Sequence, residues 1–174
     1  GTGSGAVQVQ NGAILGGSGR IAGSTTAAGT AGNPAIIAPG DPTAIGGIGT
    51  LSFQSTLDLA AESQVVFGIL SNGVNDRLVV DTLKVDASTI FKVLLDVSYM
   101  PTAGDLFDLM DWNNLGLGSD TDWTAQLELP TIPQGWDTSR FTSEGVIQVV
   151  PEPLRSTSLV LGLALAALRR RRKN

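Results

Sequence analysis

The sequence predicts an all-β fold, in which short strands stack as the turns of a parallel β-helix and a separate tail follows at the C-terminus. Three observations carry that prediction. Short β-favouring pieces recur between Gly, Asn and Pro turn signals, glycines stand repeatedly beside them, and a Pro-Glu-Pro divides an acidic body from an apolar, basic end. Strands this short cannot stand as isolated hairpins, so they must bury their apolar side chains by stacking on neighbours.

Residues 1–50 are rich in Gly, Ala, Ser and Thr and carry only two charges, Arg20 and Asp41. Low complexity of this kind often marks a flexible linker. Against that, Ala6-Val7-Gln8-Val9, Ala13-Ile14-Leu15, Arg20-Ile21-Ala22, Ala35-Ile36-Ile37-Ala38 and Thr50-Leu51-Ser52-Phe53 each read as a strand bounded by turn residues. Gly17-Ser18-Gly19-Arg20-Ile21 and Gly47-Ile48-Gly49-Thr50-Leu51 form a loose Gly-x-Gly-x-aliphatic repeat, suited to sharp corners that need φ > 0. Gly17 to Ala22 also fits a relaxed dinucleotide fingerprint, but the following Gly23 to Gly29 is too poor a helix to present an N-terminus to pyrophosphate.

From residue 51 the predicted strands lengthen: Leu51 to Leu59, Gln64 to Leu70, Asp76 to Val80, Thr82 to Val85, Ile90 to Val97 and Asp105 to Met110. Alternation in Leu57-Asp58-Leu59 and Leu83-Lys84-Val85-Asp86 signals one wet and one buried face. The nearly continuous Phe91 to Val97 run reads as the most buried strand. Ser71-Asn72-Gly73 reads as a turn. Residues 1–110 are thus the strand-repeat body and 111–150 a cap. An open strand-stack end must be covered to block end-to-end association, and Trp112, Trp123 and Trp136, with Pro130 and Pro133 among them, fit that task. An antiparallel β-sandwich over residues 51–150 is the competing fold.

Residues 151–174 form the tail. Pro151 and Pro153 lack backbone donors and fix φ, so Pro151-Glu152-Pro153 reads as an extended hinge. Residues 156–168 form an uncharged, helix-favouring run, apolar on all faces, which suits lipid better than one side of a core. Thirteen residues at about 1.5 Å each reach roughly 20 Å, short of the ~30 Å hydrocarbon thickness, so spanning requires bilayer thinning or snorkelling of the flanking arginines. The basic block Arg169, Arg170, Arg171, Arg172 and Lys173 stays on the cytoplasmic side, leaving the body across the membrane.

Composition narrows the chemistry. All sixteen acids lie at or before Glu152, against five bases there, so the body repels nucleic acid. The chain has no Cys and no His, which excludes disulfides, Ser-His-Asp and Cys-His catalysis, and His-ligated zinc. Asp105, Asp108, Asp111, Asp120 and Asp122 are interleaved with Asn113 and Asn114, and Asp120-x-Asp122 is a candidate pair for calcium, although no EF-hand-type loop accompanies it. Trp112, Trp123 and Trp136 are candidates for stacking against sugar rings. The five scattered bases give no acidic-basic stripe of the kind polysaccharide cleavage needs, so we expect neither an enzyme nor a bound cofactor.

Two resemblances give these pieces a setting. Val149-Val150-Pro151-Glu152-Pro153, an apolar run and a terminal arginine cluster together resemble the PEP-CTERM sorting signal of bacteria. That resemblance implies recognition by exosortase, a membrane cysteine transpeptidase, transient anchoring in the inner membrane, and cutting at or near the Pro-Glu-Pro during export. Leu15 to Gly23, Ile37-Ala38-Pro39-Gly40, Gly49-Thr50-Leu51 and Asn75 to Val80 are similar to the autotransporter-associated β-strand repeat. This second, less specific likeness implies the C-terminal end of a right-handed parallel β-helix displayed outside the cell. We therefore expect an exported surface or matrix protein, structural or adhesin-like, with a polysaccharide-binding sandwich as the alternative. Export also calls for a secretory signal, so we expect the chain to be part of a longer precursor.

Overall fold

The computed structural model describes residues 3–41, 46–119 and 122–151. Glu152, Pro153, the apolar run 156–168, the basic block 169–173 and Asp120 lie outside the described residues. Among those described, no helix is long and apolar enough to cross a membrane.

The molecule is mostly β. Five short strands come first: β1 (Val7–Val9), β2 (Ile14–Gly17), β3 (Gly19–Ile21), β4 (Thr25–Ala27) and β5 (Ala35–Pro39). Longer ones follow, β6 (Thr50–Leu59), β7 (Ser63–Ser71), the two-residue β8 (Val74–Asn75), β9 (Arg77–Val85) and β10 (Ile90–Leu95). The last are β11 (Leu106–Asp108), β12 (Met110–Leu115), β13 (Leu127–Glu128), β14 (Gly135–Asp137) and β15 (Val146–Val150). Helix among the described residues is confined to a 3-10 turn, Thr124–Gln126, and to α1 (Phe141–Glu144).

The first sheet runs β1-β4-β6-β9-β12, with β3 also on β6, and the second runs β13-β10-β7-β5-β2, with β8 on β7. The chain visits the two alternately. A parallel neighbour therefore arrives only after an excursion through the opposite sheet, which does the crossover work that a helix does in other parallel folds. At Ala60 to Glu62 the reason is local. Glu62 takes a positive φ of 53° and its N–H is held by Ser88 Oγ at 2.9 Å, so the chain swings across to β7 instead of folding back beside β6.

This corrects the antiparallel sandwich alternative for residues 51–150: β6, β7, β9, β10 and β12 pair with their sheet neighbours in parallel. Antiparallel strand pairs among the described residues are the β7–β8 hairpin and the small third sheet, β11-β15-β14. Parallel pairing also continues past residue 110, through β12 on β9 and β13 on β10.

The registers align like with like. In the first sheet Leu51, Leu78 and Met110 form one buried column, and Leu57 with Leu83 and Leu59 with Val85 form others. In the second, Ile37, Val65 and Phe91 stack, as do Phe67 and Val93. Each fully buried side chain of this size contributes roughly 1.5–3 kcal/mol. β10 departs from expectation: Phe91 and Val93 are buried and Leu95, on the same face, packs half-buried against the core, while Lys92 and Leu94 are only half-buried on the outer face. A bulge in β6 sets Gln54 and Ser55 against Asp81 alone, and the corner is bridged by Ser24–Ser55 hydroxyls at 2.9 Å and by Asn113 Nδ2 donating to Asp81 Oδ1 at 3.1 Å.

One buried carboxylate pins three passages of chain. Asp76 Oδ1 accepts from Gly49 N and Oδ2 from Gly68 N, both at 2.8 Å, and Asp76 N donates to Gly68 O at 2.8 Å. Burial pushes its pKa up, against the pull of the Gly68 and Gly49 amides. Any side chain on Gly40 (φ 76°) would overlap the Asp76 carboxylate, so the glycine is required by space as well as by conformation.

Candidate functional site

The residues singled out from the sequence converge on the C-terminal end of the strand stack, where aromatic rings close the core. Trp123 is fully buried and lies over Phe91 with ring centroids 5.7 Å apart, so it caps the Ile37–Val65–Phe91 column. Trp112 tilts against it at 5.1 Å, and Phe141 of α1 meets both Trp123 (6.4 Å) and Phe91 (5.3 Å) edge-on. Trp136 is half-buried on Phe107 at 6.1 Å and donates its Nε1–H to Pro130 O at 2.9 Å. Aromatic pairs of this kind add about 0.5–1.5 kcal/mol each beyond area burial.

A sugar-stacking role for Trp123 is therefore corrected: its faces are enclosed by protein. Trp112 and Trp136 sit in the same packed cluster, with Trp123 and Phe107 against their rings.

α1 locks this closure. It ends at Gly145, in the left-handed conformation (φ 71°), whose carbonyl accepts from Leu109 N at 3.0 Å and Met110 N at 3.3 Å. A Cβ at Gly145 would overlap the Met110 carbonyl oxygen. The third sheet then pairs Phe107 with Ile147 and Trp136 with Val149, and all but Trp136 of these are fully or nearly fully buried.

The acidic cluster does not form one site. Arg77 takes two members, Asp108 at 2.8 Å and Asp111 through the same guanidinium nitrogen. Burial raises the pKa of Asp108, Arg77 opposes that, and neighbouring Asp111 adds to it. Asp105 is buried within a turn, accepting from Tyr99 O–H at 2.6 Å, Thr102 N at 2.8 Å and Thr102 Oγ1 at 3.1 Å. Burial alone would raise its pKa, but those three donors outweigh it and hold the carboxyl below the usual range. Burial and the adjacent Asp105 push the Tyr99 phenol up.

Asp122, a proposed calcium ligand, instead accepts from Thr124 N (3.2 Å) and Thr124 Oγ1 (2.5 Å). No three Asp, Glu, His or Cys side chains gather as a metal site among the described residues.

Asp122 belongs to a pattern that sequence reasoning passed over. Asp86-x-Ser88, Asp96-x-Ser98, Asp122-x-Thr124 and Asp137-x-Ser139 all turn the chain by the same device, the carboxylate accepting from the backbone N–H two residues on. These bonds, with the accompanying hydroxyls, lower the pKa of all four carboxyls. The signal was available as Asp-x-Ser/Thr between strands; alternate-residue acids suggested a metal instead.

Elsewhere, a groove of about 540 Å³ beside the β6 bulge is lined in part by Arg20, Gln54, Asp81 and Asn113, but Asp81 there already accepts from Asn113. β15, the last strand among the described residues, ends at Val150, and Pro151, exposed, follows at once.

Fold and site together define a mostly β protein of parallel stacked strands with an aromatic-sealed end. No family model matches the chain, and neither a characterised protein nor a solved structure matches it significantly.

Proposed function

We propose that this chain is an exported cell-surface or extracellular-matrix protein, structural or adhesin-like. Its body is the C-terminal part of a right-handed parallel β-helix, and its tail is a PEP-CTERM-type signal read by exosortase. The observation that carries this reading is the coincidence of two boundaries: β15, the last strand among the described residues, ends at Val150, and Pro151-Glu152-Pro153 begins at the next residue. A cut at that hinge would leave the closed, aromatic-sealed end intact.

Alternating burial along β6 and β9 and the self-contained use of the acidic side chains favour a scaffold over a catalyst. The tail holds the chain in the inner membrane during export, the arginine block remaining on the cytoplasmic side. The test is intact-mass spectrometry of the chain, exported behind a secretory leader, from matched bacterial strains with and without an exosortase. The expected product has lost the residues beyond the hinge only where the exosortase is present; a product ending at Asn174 in both strains refutes the processing.

A further inference from the structure

The loop joining β10 to β11 is held at both feet. Asp96 N donates to Ile69 O at 2.8 Å, and Gly104 N donates to Val149 O of β15 at 2.8 Å. Inside it two carboxylates fix successive turns: Asp96 Oδ1 takes Ser98 N (2.9 Å) and Oγ (2.5 Å), and Asp105 takes Tyr99 and Thr102. The Tyr99 ring packs edge-on against Phe107 at 6.3 Å. Yet this well-tied loop presents Val97 98 % exposed and Met100 71 % exposed. Single exposed apolar residues are ordinary, but here two stand on one internally braced loop, three residues apart.

Their position says what covers them. The loop's foot is bonded to Val149, two residues before Pro151. From Pro151 to the start of the apolar run at Ser156 is five residues, which extend at most about 18 Å. Once that run enters a bilayer, the end of the body carrying the loop is tethered within that reach of the lipid surface. Residues 96–105 contain no Lys or Arg, and the two acids there are engaged within the loop, so the contact is apolar with no demand for anionic headgroups.

We propose that Val97 and Met100 insert into the interfacial zone of the bilayer that receives the tail, docking the closed end of the body on the membrane and holding the Pro-Glu-Pro segment at the lipid surface. This rests on the membrane reading of the tail.

The chain has no cysteine, so Val97→Cys, Met100→Cys and, towards the opposite end of the stack, Asn11→Cys each accept a single polarity-sensitive dye. The full chain is reconstituted from detergent into phosphatidylcholine vesicles containing a headgroup-level spin-labelled lipid, then floated on a density gradient. The expected result is co-flotation of all three, with the dyes at 97 and 100 blue-shifted and quenched at least twofold more than the dye at 11. Co-flotation with unshifted emission at 97 and 100, or with equal quenching at all three positions, overturns the docking and leaves the anchor standing. Failure to co-float overturns both.

Discussion

Replacing Asp76 by Asn tests the pin that ties three passages of the body together. Asp76 is 6 % exposed and gives one carboxylate oxygen to Gly49 N and the other to Gly68 N. An amide of the same shape keeps one acceptor and turns an NH₂ towards the second donor. One charge-assisted bond, worth about 1.5–3 kcal/mol, is lost, the other weakens to a neutral one, and a buried N–H is left without a partner. Relief of the buried charge, whose burial already raises the pKa, offsets part of this, so we expect a net loss of about 2–3 kcal/mol at pH 7.

Urea unfolding followed by tryptophan fluorescence reads it as a lower midpoint with an unchanged slope. The raised pKa adds a sign. In the window above the ordinary carboxylate value the native state binds more protons than the unfolded one, so the proton-linked part of the Asp76 contribution grows as pH falls and is lost as pH rises through the folded value, leaving the hydrogen-bonded part that acts at pH 7. Asn does not titrate, so the gap between wild type and variant widens from pH 7 to pH 4. A midpoint unchanged at both pH values would refute the pin.

Gly145→Ala forces a left-handed alanine against the Met110 carbonyl, and we expect a loss of at least about 2 kcal/mol by the same denaturation assay. Trp123→Ala empties the centre of the aromatic seal and should cost about 3–5 kcal/mol. Trp136→Phe, which keeps the ring against Phe107 and loses the bond to Pro130, should cost only about 1 kcal/mol; equal losses would contradict the assigned difference in burial. Asp105 has a depressed folded pKa, so its stabilisation is present above the ordinary carboxylate range and disappears as pH falls through the folded value. Thermal unfolding of Asp105→Asn should thus lie well below wild type at pH 7 and converge with it near pH 2; a constant offset would count against the bonds to Tyr99 and Thr102.

The strands legible in the sequence were those whose signal is local. Val7–Val9, Ala35–Pro39 and Thr50–Leu59 carry branched or bulky residues between turn formers, and they form where that chemistry places them. β4 was missed because Thr25-Thr26-Ala27 has no bulky residue to announce it; its buried Thr25 and Ala27 fit because the stacked neighbours are Leu57 and Leu59. β12 was missed for the opposite reason, its polar Asp111, Asn113 and Asn114 suggesting a loop, whereas pairing with β9 makes it the last long strand of the first sheet. Trp123 was legible as part of a cap, but its complete burial follows from Phe91, thirty-two positions earlier, which no local pattern reveals. The acidic cluster misled because what each carboxylate meets, Arg77, Tyr99 or Thr124, is settled by turns and by register.

The order β11-β15-β14 has a mechanical consequence. β15 lies between two antiparallel partners and leads straight into the hinge. Tension drawn along it from the C-terminus is borne in shear by hydrogen bonds on both flanks at once, with Gly104 and Asp105 adding further ties at Val149. A tether fixed at this point loads the clamp on both flanks, whereas an edge strand would carry the same pull on one flank alone.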